Sequence, residues 1–237
     1  MIVKTFLINT FIDGLFSGGQ ALVAILRRRS KSPMLQTLAG ELKAPVTAYV
    51  LPYQEGFFAV RYFSAAGELN SGGYAALAVA KALYSAGLAP PDQPLRLEGL
   101  KGPVLLRPST NLDGGVSLVL PSPPAAPATP PPSLPTGLDP DAVLDLLTVG
   151  PYRLVCLAKP DDLQAVAGLT RSGRLVFSWP LGKAGYGLRC FGTAGEEAEL
   201  PVDLDFHAAL APFWGQRLGQ TRLDIHHLAP RPAWKEG

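Results

Sequence analysis

With 237 residues, 47% of them hydrophobic and 17% charged, the chain can form one large domain or two small lobes and is too apolar to be disordered. Its formal net charge of +2 gives no reason to expect nucleic acid or an anionic membrane surface as a partner. Its two cysteines, Cys156 and Cys190, lie outside any CxxC pattern, which implies no disulfide framework and a reduced, cytoplasmic setting.

In chain order, residues 1–13 are apolar but broken by Lys4, Asn9 and Asp13. They alternate like a buried strand over 2–9 and lack a small-residue cleavage site. No apolar run is long enough to span a bilayer. A second strand is expected over 20–27, followed by the basic run Arg27, Arg28, Arg29 and Lys31, read as a solvated turn. Helical spacing of Leu35, Leu38, Ala39 and Leu42 predicts a helix over 32–43 with those residues on its buried face. Strands are expected over 46–51 and 57–63. After Gly72-Gly73 comes a helix over 74–86, ending at Gly87. Ala75, Ala76, Leu77, Ala78, Val79, Ala80, Ala82 and Leu83 make it apolar nearly all round, as in a helix enclosed by a curved sheet. Strands over 94–98, 103–107 and 116–120 complete a first lobe, residues 1–121.

Residues 122–135 are proline-rich and read as an extended connector that neither pairs in a sheet nor continues a helix. In the second lobe, residues 136–237, we expect a helix over 141–147, strands over 152–158, 174–179 and 186–192, and a second buried helix over 206–217.

The lobes repeat one pattern. Arg61-Tyr-Phe-Ser-Ala-Ala-Gly-Glu68 returns as Arg189-Cys-Phe-Gly-Thr-Ala-Gly-Glu196, and Ala75-Ala-Leu-Ala78 returns as Ala208-Ala-Leu-Ala211. Two landmarks in the same order indicate a duplicated lobe. The repeat makes Tyr74 equivalent to His207, and Gly72 equivalent to Asp205. A loop entering a buried helix leaves up to four backbone N–H donors vacant, and the helix dipole adds a preference for anions. Two such helix starts facing each other predict a small-molecule site between the lobes; a tight turn at Gly72-Gly73 is the alternative.

At this level the chain resembles the PhzF family, with its diaminopimelate-epimerase-like fold. The resemblance rests on Phe6-Leu-Ile-Asn-Thr-Phe-Ile-Asp-Gly-Leu-Phe-Ser-Gly18, Leu35-Gln-Thr-Leu-Ala-Gly-Glu-Leu-Lys43 and Glu68-Leu-Asn-Ser-Gly-Gly-Tyr-Ala-Ala-Leu-Ala78. A fourth segment runs from Glu199 to Trp214 and keeps Pro201, Val202, His207 and Pro212. It implies an α/β (α+β) fold of two pseudo-symmetric lobes, each a curved mixed sheet around a central helix. It also implies a cofactor-free isomerase or epimerase that moves protons at carbon, and commonly a dimer.

The positions at which the family carries its glutamate, histidine and aspartate read here Val46, Tyr74 and Leu200. Its turn cysteine reads Gly72, and the serine of its second motif reads Asp205. Valine and leucine cannot titrate, and a phenol near pKa ~10 is a poor base at neutral pH. The expected function is therefore a divergent isomerase or cyclase working on a small, largely apolar metabolite without that acid–base machinery. A pericyclic cyclisation in secondary metabolism would suit such a site. The alternative is a non-catalytic descendant that binds a metabolite or a partner protein.

Tyr74, His207 and Asp205 are the candidate catalytic groups, Asp205 doubling as a helix N-cap. Gly72, Gly73, Val46, Ala75 and Phe206 are the candidate substrate contacts. No cofactor is expected. His226-His227 cannot easily share a metal, because neighbours in a strand point to opposite faces; no metal site is expected either. After His227-Leu-Ala-Pro-Arg231, where family members carry closing strands, few residues remain. A second subunit covering the exposed edge predicts a homodimer.

Overall fold

The computed structural model describes residues 2–12, 18–54, 56–109, 114–120, 126–127, 138–149, 152–159, 174–191 and 204–227. It divides into two compact units, Met1–Leu120 and Pro121–Gly237.

The first unit is a mixed sheet with a helix on each face. Its strands are β1 (Ile2–Thr10), β2 (Gly19–Leu26), β3 (Val46–Gln54), β4 (Phe57–Phe63), β5 (Glu68–Leu69), β6 (Leu95–Gly99), β7 (Gly102–Pro108) and β8 (Val116–Val119). They run in the order β1-β2-β3-β4-β6-β7-β8, with β5 pairing β4 off that path. Helix α1 (Ser32–Leu42) joins β2 to β3, and α2 (Ala75–Ser85) joins β5 to β6.

Helix α2 packs against β1, β2, β3 and β8. In a flat sheet β1 and β8 would lie roughly 29 Å apart at about 4.8 Å per strand, whereas an 11-residue helix is only about 16 Å long. The sheet therefore curls around α2. Alanine suits that place, since it is the best helix former and lets a backbone approach the strands closely. Ala75, Ala78, Val79, Ala80, Ala82 and Leu83 are all fully buried. The helix stops at Gly87, whose φ of +68° favours glycine; Leu88 N–H reaches Leu83 C=O at 3.0 Å and Gly87 N–H reaches Tyr84 C=O at 3.1 Å.

Helix α1 begins with a proline in its first turn and ends at Lys43, in left-handed geometry at φ 51°. It buries Leu35 and Ala39 against Ala24, Leu26, Tyr49 and Phe63, and Tyr49 Oη donates to Leu35 C=O at 2.9 Å. Leu38 is only partly buried and Leu42 is 42% exposed, so the buried stripe is narrower than the expected four residues. Strand β1 also departs from expectation. It is the edge strand, not a buried one, and Val3 and Leu7 face solvent. Arg27, Arg28, Arg29 and Lys31 form the expected exposed turn.

The second unit repeats the arrangement. Its strands are β9 (Ala126–Pro127), β10 (Val143–Val149), β11 (Tyr152–Leu157), β12 (Arg174–Leu181), β13 (Gly185–Phe191) and β14 (Asp224–His227), in the order β14-β13-β12-β11-β10-β9. From β10 to β14 the pairings run antiparallel, parallel, antiparallel, parallel. From β1 through β2, β3 and β4 to β6 they run in the same sequence. Helix α3 (Leu204–Leu218) lies between β13 and β14 in the chain, as α2 lies between β4 and β6.

Two expectations fail in this unit. Residues 141–147 are not a helix: Asp139 Oδ1 accepts from Asp141 N–H at 3.0 Å and starts a single 3₁₀ turn, Pro140–Ala142. Val143–Val149 then pairs with β11 as a strand. The proline-rich segment does contribute to a sheet, because Pro127 and Ala126 pair with Leu147 and Thr148. Pairing on one side only, at the edge of the sheet, is where proline's missing donor is tolerated. The rest of 122–135 and residues 228–237 lie outside the described residues. No helix among the described residues is long and apolar enough to cross a membrane.

Candidate functional site

The chain leaves β5 and turns through Gly72, Gly73 and Tyr74 into α2. Gly72 is buried, and a side chain there would run into the ring of Tyr62 on β4. Tyr62 is 4% exposed, and its hydroxyl has no hydrogen-bond partner among the described residues. Burial pushes that phenol well above its ordinary pKa, so it stays protonated. Gly73 has a φ of +50°, the left-handed region that glycine enters without penalty.

The helix start offers fewer donors than expected. Ala75 N–H returns to Gly72 C=O at 2.8 Å and Ala76 N–H to Gly73 C=O at 3.2 Å, so the turn consumes two of them. The N–H groups of Gly73 and Tyr74 have no partner among the described residues. Tyr74 carries no side-chain cap; its hydroxyl donates to Gln20 C=O on β2 at 3.0 Å. Its ring covers Gly19, where an added Cβ would lie 2.8 Å from Cδ2. Burial raises the Tyr74 pKa, so the phenol is a donor and not a base at neutral pH. Val46, the first residue of β3, and Ala75 pack into the core beneath α2. A separate pocket of about 350 Å³ involves the other end of α2, lined by Val3, Ile25, Pro52, Ala86 and Leu88 with Lys4 and Arg27 at its edge.

In the second unit, Asp205 belongs to the first turn of α3, with its side chain outside the described part, as is Leu200. Phe206 is 1% exposed and joins the core of Leu154, Cys156, Val176, Leu188 and Leu210. His207 is partly buried, with Nδ1 3.2 Å from Tyr186 Oη on β13. Tyr186 is completely buried, and Trp214 of α3 stacks on it with ring centroids 6.4 Å apart and planes at 18°. Trp214 Nε1–H donates to Ser178 Oγ at 2.9 Å, and that hydroxyl donates to Gly187 C=O at 2.8 Å. The second core is thus fastened to its helix by a polar chain with no loose end. Cys156 and Cys190 are buried and not joined in a disulfide, and burial raises the Cys156 pKa, which makes it inert packing.

Each helix start therefore carries a phenol that the residue types alone did not single out. Tyr62 sits behind Gly72, and Tyr186 behind His207. The repeat gave a signal only for Tyr62, whose equivalent in the second copy is the much smaller Cys190.

A family model described as phenazine biosynthesis-like protein matches residues 8–134. An uncharacterised isomerase of Pseudomonas aeruginosa is 30% identical over 238 residues, covering 94% of this chain and 86% of its own. An uncharacterised isomerase of Halalkalibacterium halodurans is 25% identical over 243 residues, covering 98% and 89%. Among solved structures, a phenazine biosynthesis PhzF family protein of Enterococcus faecalis aligns with a TM-score of 0.77 at 21% identity, over 95% of this chain and 87% of that one. A PhzC/PhzF protein of Clostridium difficile aligns at 0.74 and 20% identity, over 95% and 86%. At such identities these two likenesses establish the mixed α/β, curled-sheet fold and nothing finer.

Proposed function

Because the chain belongs to the phenazine biosynthesis-like PhzF family, whose curated relatives are named isomerases, we propose that it is a cofactor-independent isomerase or cyclase that works without the acid–base residues of its family. Its substrate is a small, largely apolar metabolite carrying at least one acceptor oxygen, and the reaction belongs to secondary metabolism. The observation that carries this reading is the start of α2. The N–H groups of Gly73 and Tyr74 have no partner among the described residues, and position 72 is closed to any side chain by Tyr62. Such a turn can hold a carboxylate or carbonyl oxygen, but it offers no group to take a proton from carbon.

The chemistry left is orientation and polarisation. Two amides stabilise charge that develops on oxygen, the Tyr74 phenol joins them when it exchanges Gln20 C=O for the substrate, and holding a reactive conformer lowers part of the barrier. In this reading His207 is the equivalent polar group at the start of α3, next to Phe206, which is buried in the core.

The test is conversion of isomerisable and cyclisable acids in D₂O, followed by proton NMR and mass spectrometry. Product free of solvent deuterium at carbon supports the reading. Deuterium entering at carbon would overturn the loss of acid–base chemistry. A second reading, a non-catalytic binder, is favoured by one contact: Tyr74 Oη already spends its proton on Gln20 C=O. Amide shifts at Gly73 and Tyr74 on adding a ligand that is never converted would select it.

A further inference from the structure

Tyr186 and His207 are 21 residues apart in sequence and meet at Oη and Nδ1, 3.2 Å apart, with their rings tilted at 37° to one another. The two possible arrangements of the proton in that contact are not equivalent. Tyr186 has no accessible surface, and among the described residues Nδ1 of His207 is the only partner of its hydroxyl. A buried O–H without an acceptor is costly, whereas Nδ1 can accept only when it carries no hydrogen. If the phenol donates, both groups are satisfied. If Nδ1–H donated to the phenol oxygen, the phenol proton would have nowhere to go. The ring cannot swing away to relieve this, since Trp214 lies parallel to it and is itself tied to Ser178.

We infer that Tyr186 is a positioning residue: its buried hydroxyl donates to Nδ1 of His207 and so fixes the imidazole as the neutral tautomer with its proton on Nε2. At its Nε2 end the imidazole then carries an N–H and not a basic lone pair. Tyr186 touches no substrate; it decides which end of the imidazole carries the proton. The role in turnover rests on the reading that the start of α3 belongs to the reacting site. The tautomer does not, because it is set inside the free protein.

Long-range ¹H–¹⁵N spectra of the full chain labelled with ¹⁵N-histidine test it, at a mildly alkaline pH where imidazoles are neutral. The chain has three histidines, and His207→Gln assigns the signal. The expected result is the Nε2–H tautomer for His207 in the native protein, favoured about ten-fold or more. In Tyr186→Phe that preference falls to a mixture. Nδ1–H in the native protein, or a signal unmoved by Tyr186→Phe, would overturn the inference. Should Tyr186→Phe not fold, the native spectrum decides alone: Nε2–H with a phenol proton protected from exchange supports the contact, and Nδ1–H sinks it. Once a substrate is known, Tyr186→Phe should lower kcat and leave KM nearly unchanged. If no substrate is turned over, the functional reading fails and the tautomer result stands by itself.

Discussion

The ring of Tyr62 fills the space into which any side chain at position 72 would project. Residue 72 is thus glycine for a steric reason, and the side-chain chemistry of this turn cannot be restored by changing it alone. Gly72→Ala should destabilise the first unit by about 1–3 kcal/mol, the usual cost of overpacking. Much of that cost should vanish in a Tyr62→Ala background, giving a coupling on the order of 1 kcal/mol. Urea unfolding followed by far-UV circular dichroism measures both. The tryptophans do not serve, because all three lie in the second unit.

One substitution type should have opposite signs at the two buried phenols. Tyr62 Oη is buried without a partner, so Tyr62→Phe removes a desolvated polar atom and should stabilise by about 1 kcal/mol. Tyr186 Oη is bonded to His207, so Tyr186→Phe should cost about 1 kcal/mol. Denaturation midpoints moving in opposite directions at unchanged slope would show both effects.

Ten strands were legible because each is a short apolar run bounded by glycine, proline or charge, and α2 because its alanines sit between a glycine pair and Gly87; β5, β9, β10 and β14 were not. What failed was decided by partners distant in sequence. Asp139-Pro140-Asp141 is a sound helix start, and it does make one 3₁₀ turn. The next seven residues then become a strand because Leu146 and Leu147 find Val155 and Leu154 opposite. Leu42 has helical spacing, yet the sheet beneath α1 ends before reaching it, leaving it 42% exposed. At the site, Gly72, Tyr74 and His207 drew notice through motif and repeat. Tyr186 could not, since only the register of β13 beneath α3 brings its hydroxyl to the imidazole.

High pH should unfold the protein before Tyr49, Tyr62, Tyr74, Tyr84 and Tyr186 titrate. Burial raises the pKa of Tyr49 to about 12 and also raises those of Tyr62, Tyr74, Tyr84 and Tyr186. Unfolded phenols ionise near pH ~10. A folded pKa above the unfolded one means that the stabilisation is complete below pH ~10 and is lost as pH rises toward the folded value. For Tyr49 alone the gap is worth roughly 2–3 kcal/mol. Tyrosinate absorbance should therefore rise together with the loss of circular dichroism above pH ~10, as one transition. Most tyrosines ionising in a chain that stays folded would contradict this.

Tyr74 is the residue on which catalysis and architecture compete. Its hydroxyl donates to Gln20 C=O on β2 and its ring lies on Gly19, so it ties the start of α2 to the sheet. Tyr74→Phe keeps the ring and loses the donor, and as a tie alone this should cost about 0.5–1.5 kcal/mol. Tyr74→Ala also uncovers Gly19 and should cost more, about 3 kcal/mol, as for other large side chains truncated in packed positions. A phenol that exchanges Gln20 C=O for a substrate oxygen adds a kinetic effect that stability does not explain: kcat for Tyr74→Phe should fall by about ten-fold or more while the protein remains fully folded. Measuring kcat well below the unfolding transition separates the two. A fall in stability with unchanged kcat would leave Tyr74 as a latch, and would pass the work of polarising the substrate to the amides of Gly73 and Tyr74.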